Sequence, residues 1–174
     1  MSKQETYVGD GSREIYVAST QAGQATSTAL STTQTGITLT NPAGSGKTLV
    51  LLQFRGAVSA APAGASPLVL AANVNPVAAA VTQTTPLTVR PANLGLTGTG
   101  AGLAASAVTL PAAPVVVRAY QAPVAASALT PAAIQDDING AICIAPGCAI
   151  SLSSITTAVT GIWSLVWEEV DAIG

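Results

Sequence analysis

The segment NPAGSGKTLVLLQFRGAVSA, residues 41–60, decides the fold because it joins a nucleotide-binding signature to a strand pattern. Phosphate-binding loops carry a glycine, four residues and then Gly-Lys-Ser/Thr, and a helix follows whose free N–H groups face the phosphates. Here Gly46-Lys47-Thr48 supplies the end of the motif, but Asn41 stands where the first glycine belongs. The residues after Thr48 alternate with a period of two, which predicts a strand and not a helix.

We therefore interpret residues 41–46 as a tight loop between two antiparallel strands. Glycine, proline, asparagine and serine each suit turns for a different conformational reason. The turn-forming residues predicted in this loop are Asn41, Pro42, Gly44 and Gly46. In the strand that follows, the pattern predicts one apolar face containing Val50, Leu52, Phe54, Gly56 and Val58.

The rest of the chain reads as short strands separated by proline and glycine. Strands are predicted at 14–19, 26–40, 66–74, 85–91, 111–123, 140–152 and 156–170, the sixth of these folded as a hairpin around a Pro146-Gly147 type II turn. Residues 93–114 read as a long loop, and residues 131–134 as one helical turn that ends at Asn139-Gly140. This pattern predicts an all-β protein, an antiparallel β-sandwich of jelly-roll type.

The distribution of charge divides the chain into a polar N-terminal arm, residues 1–25, and a jelly-roll β-sandwich domain, residues 26–174. Five charged residues crowd the first 14 positions, while only six lie between Ile15 and Trp167. The first residues lack the apolar stretch of a secretory signal. Prolines interrupt the long uncharged stretches 56–89 and 91–117, so no membrane span is expected.

Charged residues make up only 8 % of the chain, and the net charge is −2. A chain with no basic field is not expected to bind nucleic acid. Soluble monomers usually carry more surface charge, which indicates a surface covered by partners. The alternative is an exposed surface rich in Thr, Ser and Ala.

The residue types exclude several kinds of catalytic site. The chain has no histidine, which removes Ser-His-Asp and Cys-His catalysis and imidazole metal sites. Cys143 and Cys148 are too few for a structural zinc, and we expect buried thiols and no disulfide. Asp136-Asp137 reads as a solvated loop, and Glu168-Glu169 as the point where the last strand leaves the core. We expect no catalytic residue, no cofactor and no metal, and therefore no enzyme.

The large side chains are few enough to be assigned individually. Trp163 and Trp167 share one face of the last predicted strand with Leu165. Together with Phe54 they are predicted to anchor either the sandwich core or a contact between subunits, where Trp is enriched.

Two segments resemble one known class of protein. GITLTNPAGSGKTLVLL is similar to the strand–turn–strand segment of bacteriophage structural proteins that contains NP-x-GSGK. ICIAPGCAISLSS followed by WSLVWEEV resembles their closing hairpin and final strand. The resemblance is to phage capsid cement or decoration proteins, auxiliary virion proteins with a jelly-roll or tumour-necrosis-factor-like sandwich.

The resemblance implies a function without catalysis. It implies a homotrimer on the outside of a phage head, made in the host cytoplasm, that bridges major capsid protein subunits and stabilises the head. It also implies that Trp167 and Glu168 close the last strand. The residues that it assigns to turns are Asn41, Pro42, Gly44, Gly46, Pro146 and Gly147. The alternatives are a head-fibre, neck or tail component of similar fold and, from another class, a carbohydrate-binding module.

Overall fold

A computed structural model describes residues 14–73, 80–120 and 133–172, and this part of the chain is all-β with no helix. Its strands are β1 (Glu14–Ser19), β2 (Gln24–Ala25), β3 (Thr33–Thr40), β4 (Lys47–Ala60), β5 (Leu68–Asn73), β6 (Thr82–Pro86), β7 (Arg90–Pro91), β8 (Leu103–Thr109), β9 (Val115–Ala119), β10 (Ala133–Ile144), β11 (Ala149–Ser154) and β12 (Thr160–Asp171).

The strands form two antiparallel sheets that pack against each other. Sheet A has the order β10-β4-β12-β1-β7, and the short β2 also pairs with β12. Sheet B has the order β6-β8-β3-β11-β5-β9. The predicted antiparallel β-sandwich is therefore confirmed.

The core between the sheets is built around aromatic side chains from sheet A. The rings of Phe54 and Trp163 stack with their centroids 6.4 Å apart, and Tyr16 stacks on Trp167 at 6.1 Å. Leucine and isoleucine side chains from both sheets complete this core: Ile37, Leu39, Leu49, Leu51, Leu68, Leu70, Ile150, Leu152 and Leu165 are fully buried. Among the described residues, Tyr16, Phe54, Trp163 and Trp167 are buried in this core, and the partly buried Tyr120 packs against it.

The predicted apolar face of β4 is wrong for half of the strand. The register between β12 and β4 shifts between Val166 and Trp167, so that Trp167 pairs with Leu51 while Val166 pairs with Gln53. Leu52 is the extra residue, and such a bulge reverses which side chains face inward. Leu49 and Leu51 therefore join Phe54 in the core, although simple alternation puts them on the opposite face.

The helical turn predicted at 131–134 is also wrong where the structure describes it. Ala133 and Ile134 lie in β10, and residues 131–132 are outside the described ranges. Asn139-Gly140 does not end a helix; it forms a bulge within β10, with φ angles of 53° and 80°. The Asn-Gly sequence does form a local turn, but that turn is a bulge within the edge strand β10 and does not end an element.

Strand boundaries also differ from the sequence prediction in several places. β8 lies inside the predicted loop 93–114, because its small residues pair on both sides with β3 and β6. The Thr-rich strand is limited to 33–40, and the strand predicted at 85–91 is divided between β6 and β7. Strand β1 matches the short strand predicted inside the arm, yet it pairs with β12 and β7. Strands β1 and β2 therefore belong to the sandwich although the sequence assigned residues 14–25 to the arm, and residues 1–13 of the predicted arm lie outside the described ranges.

The two predicted tight connections do not join neighbouring strands. The loop 41–46 leads from β3 in sheet B to β4 in sheet A, and the Pro146-Gly147 turn leads from β10 in sheet A to β11 in sheet B. Neither forms a hairpin, which corrects both predictions. Both connections cross from one sheet to the other.

Candidate functional site

The two crossing connections meet at one end of the sandwich, in a cluster that we call the asparagine corner, residues 41–47 and 145–148. The backbone N–H of Asn41 donates to the carbonyl oxygen of Cys148 at 2.9 Å, and Gly147 N–H donates to the Asn41 carbonyl at 2.8 Å. These two bonds tie the connections together where neither is part of a strand.

The fully buried side chain of Asn41 extends the same network. Its Nδ2 donates to the carbonyl oxygens of Lys47 at 2.7 Å and Ile144 at 2.8 Å, and its Oδ1 accepts from Ser45 Oγ at 2.6 Å. An amide is suited to this position because it presents donors and an acceptor at once. One side chain thereby holds the start of β4 against the end of β10.

The glycines at the corner adopt backbone conformations that favour glycine. Gly44, Gly46 and Gly147 have φ angles of 77°, 68° and 86°. Cys148 N–H donates to the Ala145 carbonyl at 3.1 Å, so Pro146 and Gly147 are the central residues of a turn with positive φ at the second, as in type II. Pro42 lies in the first connection, where its carbonyl accepts from Ser45 N–H at 3.2 Å.

Lys47, the lysine of the phosphate-loop motif, is engaged by carboxylates of this chain. Its Nζ lies 3.0 Å from Glu14 Oε2 and 3.0 Å from Asp171 Oδ1, which joins the beginning of β1 and the end of β12. Hydrogen bonds to Glu14 and then Asp171 raise the pKa of Lys47. The motif is followed by β4 and not by the helix whose N-terminus faces the phosphates in a phosphate-binding loop. This geometry is unlike that of a phosphate-binding loop.

Glu169 is a buried residue that the sequence reasoning misplaced. Its side chain is only 6 % exposed and lies inside the sandwich, not at the exit from the core. The carboxylate accepts from Ala101 N–H and Gly102 N–H, both at 2.8 Å, and from Trp167 Nε1 at 3.0 Å. Because Trp163, Leu165 and Trp167 alternate onto the inward face, the same alternation predicts that the side chain of residue 169 also points inward.

This carboxylate holds the glycine-rich loop before β8. A Cβ at Gly100 would lie 2.6 Å from Glu169 Oε1, and one at Gly102 would lie 3.0 Å from Trp167 Nε1. Only glycine therefore lets the loop approach the carboxylate without displacing it. Nearby, burial and the negative charges of Glu169 and Glu14 raise the pKa of Tyr16.

A second polar cluster joins the sheets where β9 and β10 lie. Arg118 binds Asp136 through Nε at 2.6 Å and Nη2 at 2.7 Å, and the Tyr120 hydroxyl donates to Asp136 Oδ2 at 2.8 Å. Tyr120 also packs on Phe54, with ring centroids 5.3 Å apart. Burial and the bond to Asp136 raise the pKa of Tyr120.

The prediction of a solvated loop at Asp136-Asp137 is therefore wrong for Asp136, whose carboxylate binds groups of the fold. Its neighbour Asp137 is exposed and pairs with Arg55 at 2.7 Å.

The predicted anchor residues and cysteines occupy different environments. Phe54, Trp163 and Trp167 are all fully buried in the core. Cys143 is exposed and Cys148 is partly buried, and both are free thiols, so the expectation of two buried thiols is wrong for Cys143. Burial raises the pKa of Cys148.

The hydrogen bonds and ion pairs of Asn41, Glu169 and Asp136 all join parts of the fold to one another. Within the described ranges, no group of three or more His, Cys, Asp or Glu side chains lies close enough together to hold a metal ion. Over the same residues, no helix is long and apolar enough to cross a membrane. Comparison with family models, curated proteins and solved structures gave no match for this chain.

Proposed function

We propose that this protein is a non-enzymatic structural component of a phage virion, a cement or decoration protein that binds the outside of the head and bridges major capsid protein subunits. The observation that carries the proposal is the asparagine corner. The two segments that resemble phage structural proteins lie far apart in sequence, yet bonds of Asn41 to Cys148, Gly147 and Ile144 join them.

The strand order supports the finer description of the fold as a jelly roll. We infer this topology from β1, β3, β4, β5 and β9 to β12, taken as eight strands in chain order. Sheet A then pairs the first with the eighth, the eighth with the third and the third with the sixth. Sheet B pairs the second with the seventh, the seventh with the fourth and the fourth with the fifth. Jelly rolls have eight such strands in two sheets, and here β6, β7 and β8 are inserted between the fourth and fifth.

The described surface supports association with other subunits. Large apolar side chains are exposed on β9, at Val115, Val116 and Val117, and in the insertion, at Leu94, Leu96 and Leu103. Between residues 81 and 117 the only charged residue is Arg90. Uncharged surface with exposed aliphatic side chains favours burial against a partner. We propose a homotrimer, since a subunit that repeats around a three-fold position gains avidity from many weak contacts.

Sedimentation equilibrium of the purified chain tests the assembly. One chain has a mass of 17.1 kDa, so the proposal predicts 3 × 17.1 = 51.3 kDa. The second measurement is binding to phage heads that lack the protein, followed by release of DNA on heating. Saturable binding with a higher release temperature supports the proposal, and no binding to heads by a well-folded protein overturns it.

The two alternatives predict different results. A head-fibre, neck or tail component would bind a phage particle at a few positions, which electron microscopy of labelled protein distinguishes from binding over the whole head. A carbohydrate-binding module needs exposed aromatic platforms, and Trp163 and Trp167 are fully buried. A specific hit on a glycan array would nevertheless favour the module.

A further inference from the structure

The bulge in β10 contains the only Asn-Gly sequence in the chain, Asn139-Gly140. Asp137 pairs with Gln53 and the next pair is Ile142 with Leu51, so residues 138–141 have no register partner on β4. The successive positive φ angles of Asn139 and Gly140 are those of a type I′ turn. The bulge lies on an edge strand of sheet A.

We propose that Asn139 is a site of spontaneous deamidation through a succinimide. The backbone nitrogen of Gly140 attacks Cγ of Asn139, a C–N bond forms, and the bond from Cγ to Nδ2 breaks. The amide leaves as ammonia and takes the Gly140 amide proton. Water then adds to either carbonyl of the ring and opens it to aspartate or isoaspartate, so the only co-reactant is water.

Three features of the bulge favour this reaction in the folded protein. Asn139 is exposed, so water reaches its side chain. Gly140 has no Cβ to shield the attacking nitrogen. The bulge stands outside the β10–β4 register, so its backbone can move without breaking paired strands. The hydrogen bond of the Asn139 amide, from Nδ2 to the Asp137 carbonyl at 2.9 Å, is exposed and breaks as the amide leaves.

The other described asparagines lack one or more of these features. Asn41 is fully buried and precedes Pro42, whose nitrogen carries no hydrogen. Asn73 is buried and precedes a valine. Asn93 is exposed but precedes Leu94, whose side chain hinders attack by its nitrogen. Asn93 is therefore the internal control, because it matches Asn139 in exposure and differs in the residue that follows.

The fold is expected to accept the product. Aspartate tolerates the left-handed region that Asn139 occupies. The extra main-chain atom of isoaspartate falls in a segment without register partners. The new carboxylate is on an exposed side chain, so sheet A acquires one solvated negative charge at this strand.

The test is peptide mapping of the purified full-length chain after incubation at mildly alkaline pH, folded and, in parallel, unfolded in urea. In the folded sample we expect the peptide containing Asn139 to gain the mass that replaces NH₂ with OH, with release of ammonia. The peptide containing Asn93 should keep its amide. If folded Asn139 stays intact while the unfolded chain converts, or if Asn93 converts at the same rate, the proposal is wrong.

Two variants make the result specific. Gly140→Ala should remove most of the conversion, although the positive φ and a Cβ 3.1 Å from Val50 Cγ1 require a check of folding by circular dichroism. Asn139→Asp mimics one product and should keep the wild-type unfolding midpoint in urea. Unfolding of Asn139→Asp would contradict a folded deamidated form. None of these outcomes depends on the proposed virion role.

Discussion

At the asparagine corner, one side chain replaces the strand pairing that the two crossing connections lack. Asn41 makes three side-chain and two backbone hydrogen bonds while fully buried. Sequence reasoning predicted a turn there from residue preferences alone. It could not predict the partners, because the Ile144 and Cys148 carbonyls are more than a hundred positions away and belong to another predicted turn.

Replacement of Asn41 should destabilise the fold although no strand is altered. Asn41→Ala removes the amide donors to the carbonyls of Lys47 and Ile144, of which the Lys47 carbonyl keeps only the longer side-chain bond from Ser45 Oγ at 3.2 Å, and this loss should cost about 2 kcal/mol of unfolding free energy. Asn41→Asp should cost more, because it also places a carboxylate against those carbonyls. Urea unfolding measures both. The control Asn93→Ala changes an exposed asparagine, and an equal effect there would refute the role of the corner.

The indole ring of Trp163 occupies the space that a Cβ would need at two glycines, one on β4 and one on β12. A Cβ at Gly56 would lie 2.6 Å from the indole ring, and one at Gly161 would lie 2.7 Å from it. The indole cannot retreat, because its Nε1 donates to the Gln24 carbonyl at 2.8 Å and it stacks on Phe54.

We expect Gly56→Ala and Gly161→Ala each to lower the unfolding free energy by about 1–3 kcal/mol through overpacking. Gly64→Ala is the matched control, since its nearest contact would be Thr157 Oγ1 at an ordinary 3.5 Å. Thermal unfolding followed by tryptophan fluorescence reports both stability and the environment of Trp163. Wild-type midpoints for both core variants would show that the ring has room to move.

At the scale of the strands, bulges explain two of the failed predictions, the inward face of β4 and the helical turn ending at Asn139-Gly140. Alternation correctly identified the inward face of β12 and of β4 from Phe54 onward, but it failed in β4 before the extra residue Leu52. One inserted residue reverses a period-two pattern, and nothing in a uniformly apolar run marks its position. The insertion with β8 was missed because Ala and Ser carry little strand preference, and pairing with two neighbours decides its structure.

The hydroxyls of Tyr120 and Tyr16 are expected to make the free energy of unfolding fall at alkaline pH. The pKa values of Tyr120 and Tyr16 are raised above the ordinary 10.0, in both cases mainly by burial. The unfolded chain therefore ionises first as the pH rises, so stability is complete below 10 and falls above it. Lys47, whose pKa is also raised, acts in the same direction.

Urea unfolding midpoints at one pH below and one above 10 should show this loss in the wild type. Tyr120→Phe should be less stable below pH 10, because it lacks the bond to Asp136, and should lose less stability between the two pH values. An unchanged pH dependence in Tyr120→Phe would mean that the hydroxyl is not protected by burial.

At the scale of the whole molecule, the charged residues of the sandwich are largely committed to contacts within the chain. Arg118 and Arg55 pair with Asp136 and Asp137, and Lys47 with Glu14 and Asp171. Exposed valines instead lie on β9, which is an edge strand of sheet B among the described strands, and an apolar edge strand favours pairing with another chain. Composition predicted a covered surface, but only the strand order identifies which edge carries the apolar residues.

If the proposed self-association uses this edge, a charge on β9 should weaken it without affecting the fold. Val115 is 57 % exposed, so Val115→Lys should leave the unfolding free energy within about 0.5 kcal/mol of wild type. Its oligomer mass in sedimentation equilibrium should fall toward 17.1 kDa. Ile162→Lys, at 46 % exposure on the outer face of sheet A, is the control and should keep the wild-type mass. If Ile162→Lys dissociates the oligomer and Val115→Lys does not, the contact lies on sheet A, and the apolar edge of β9 serves another partner or none.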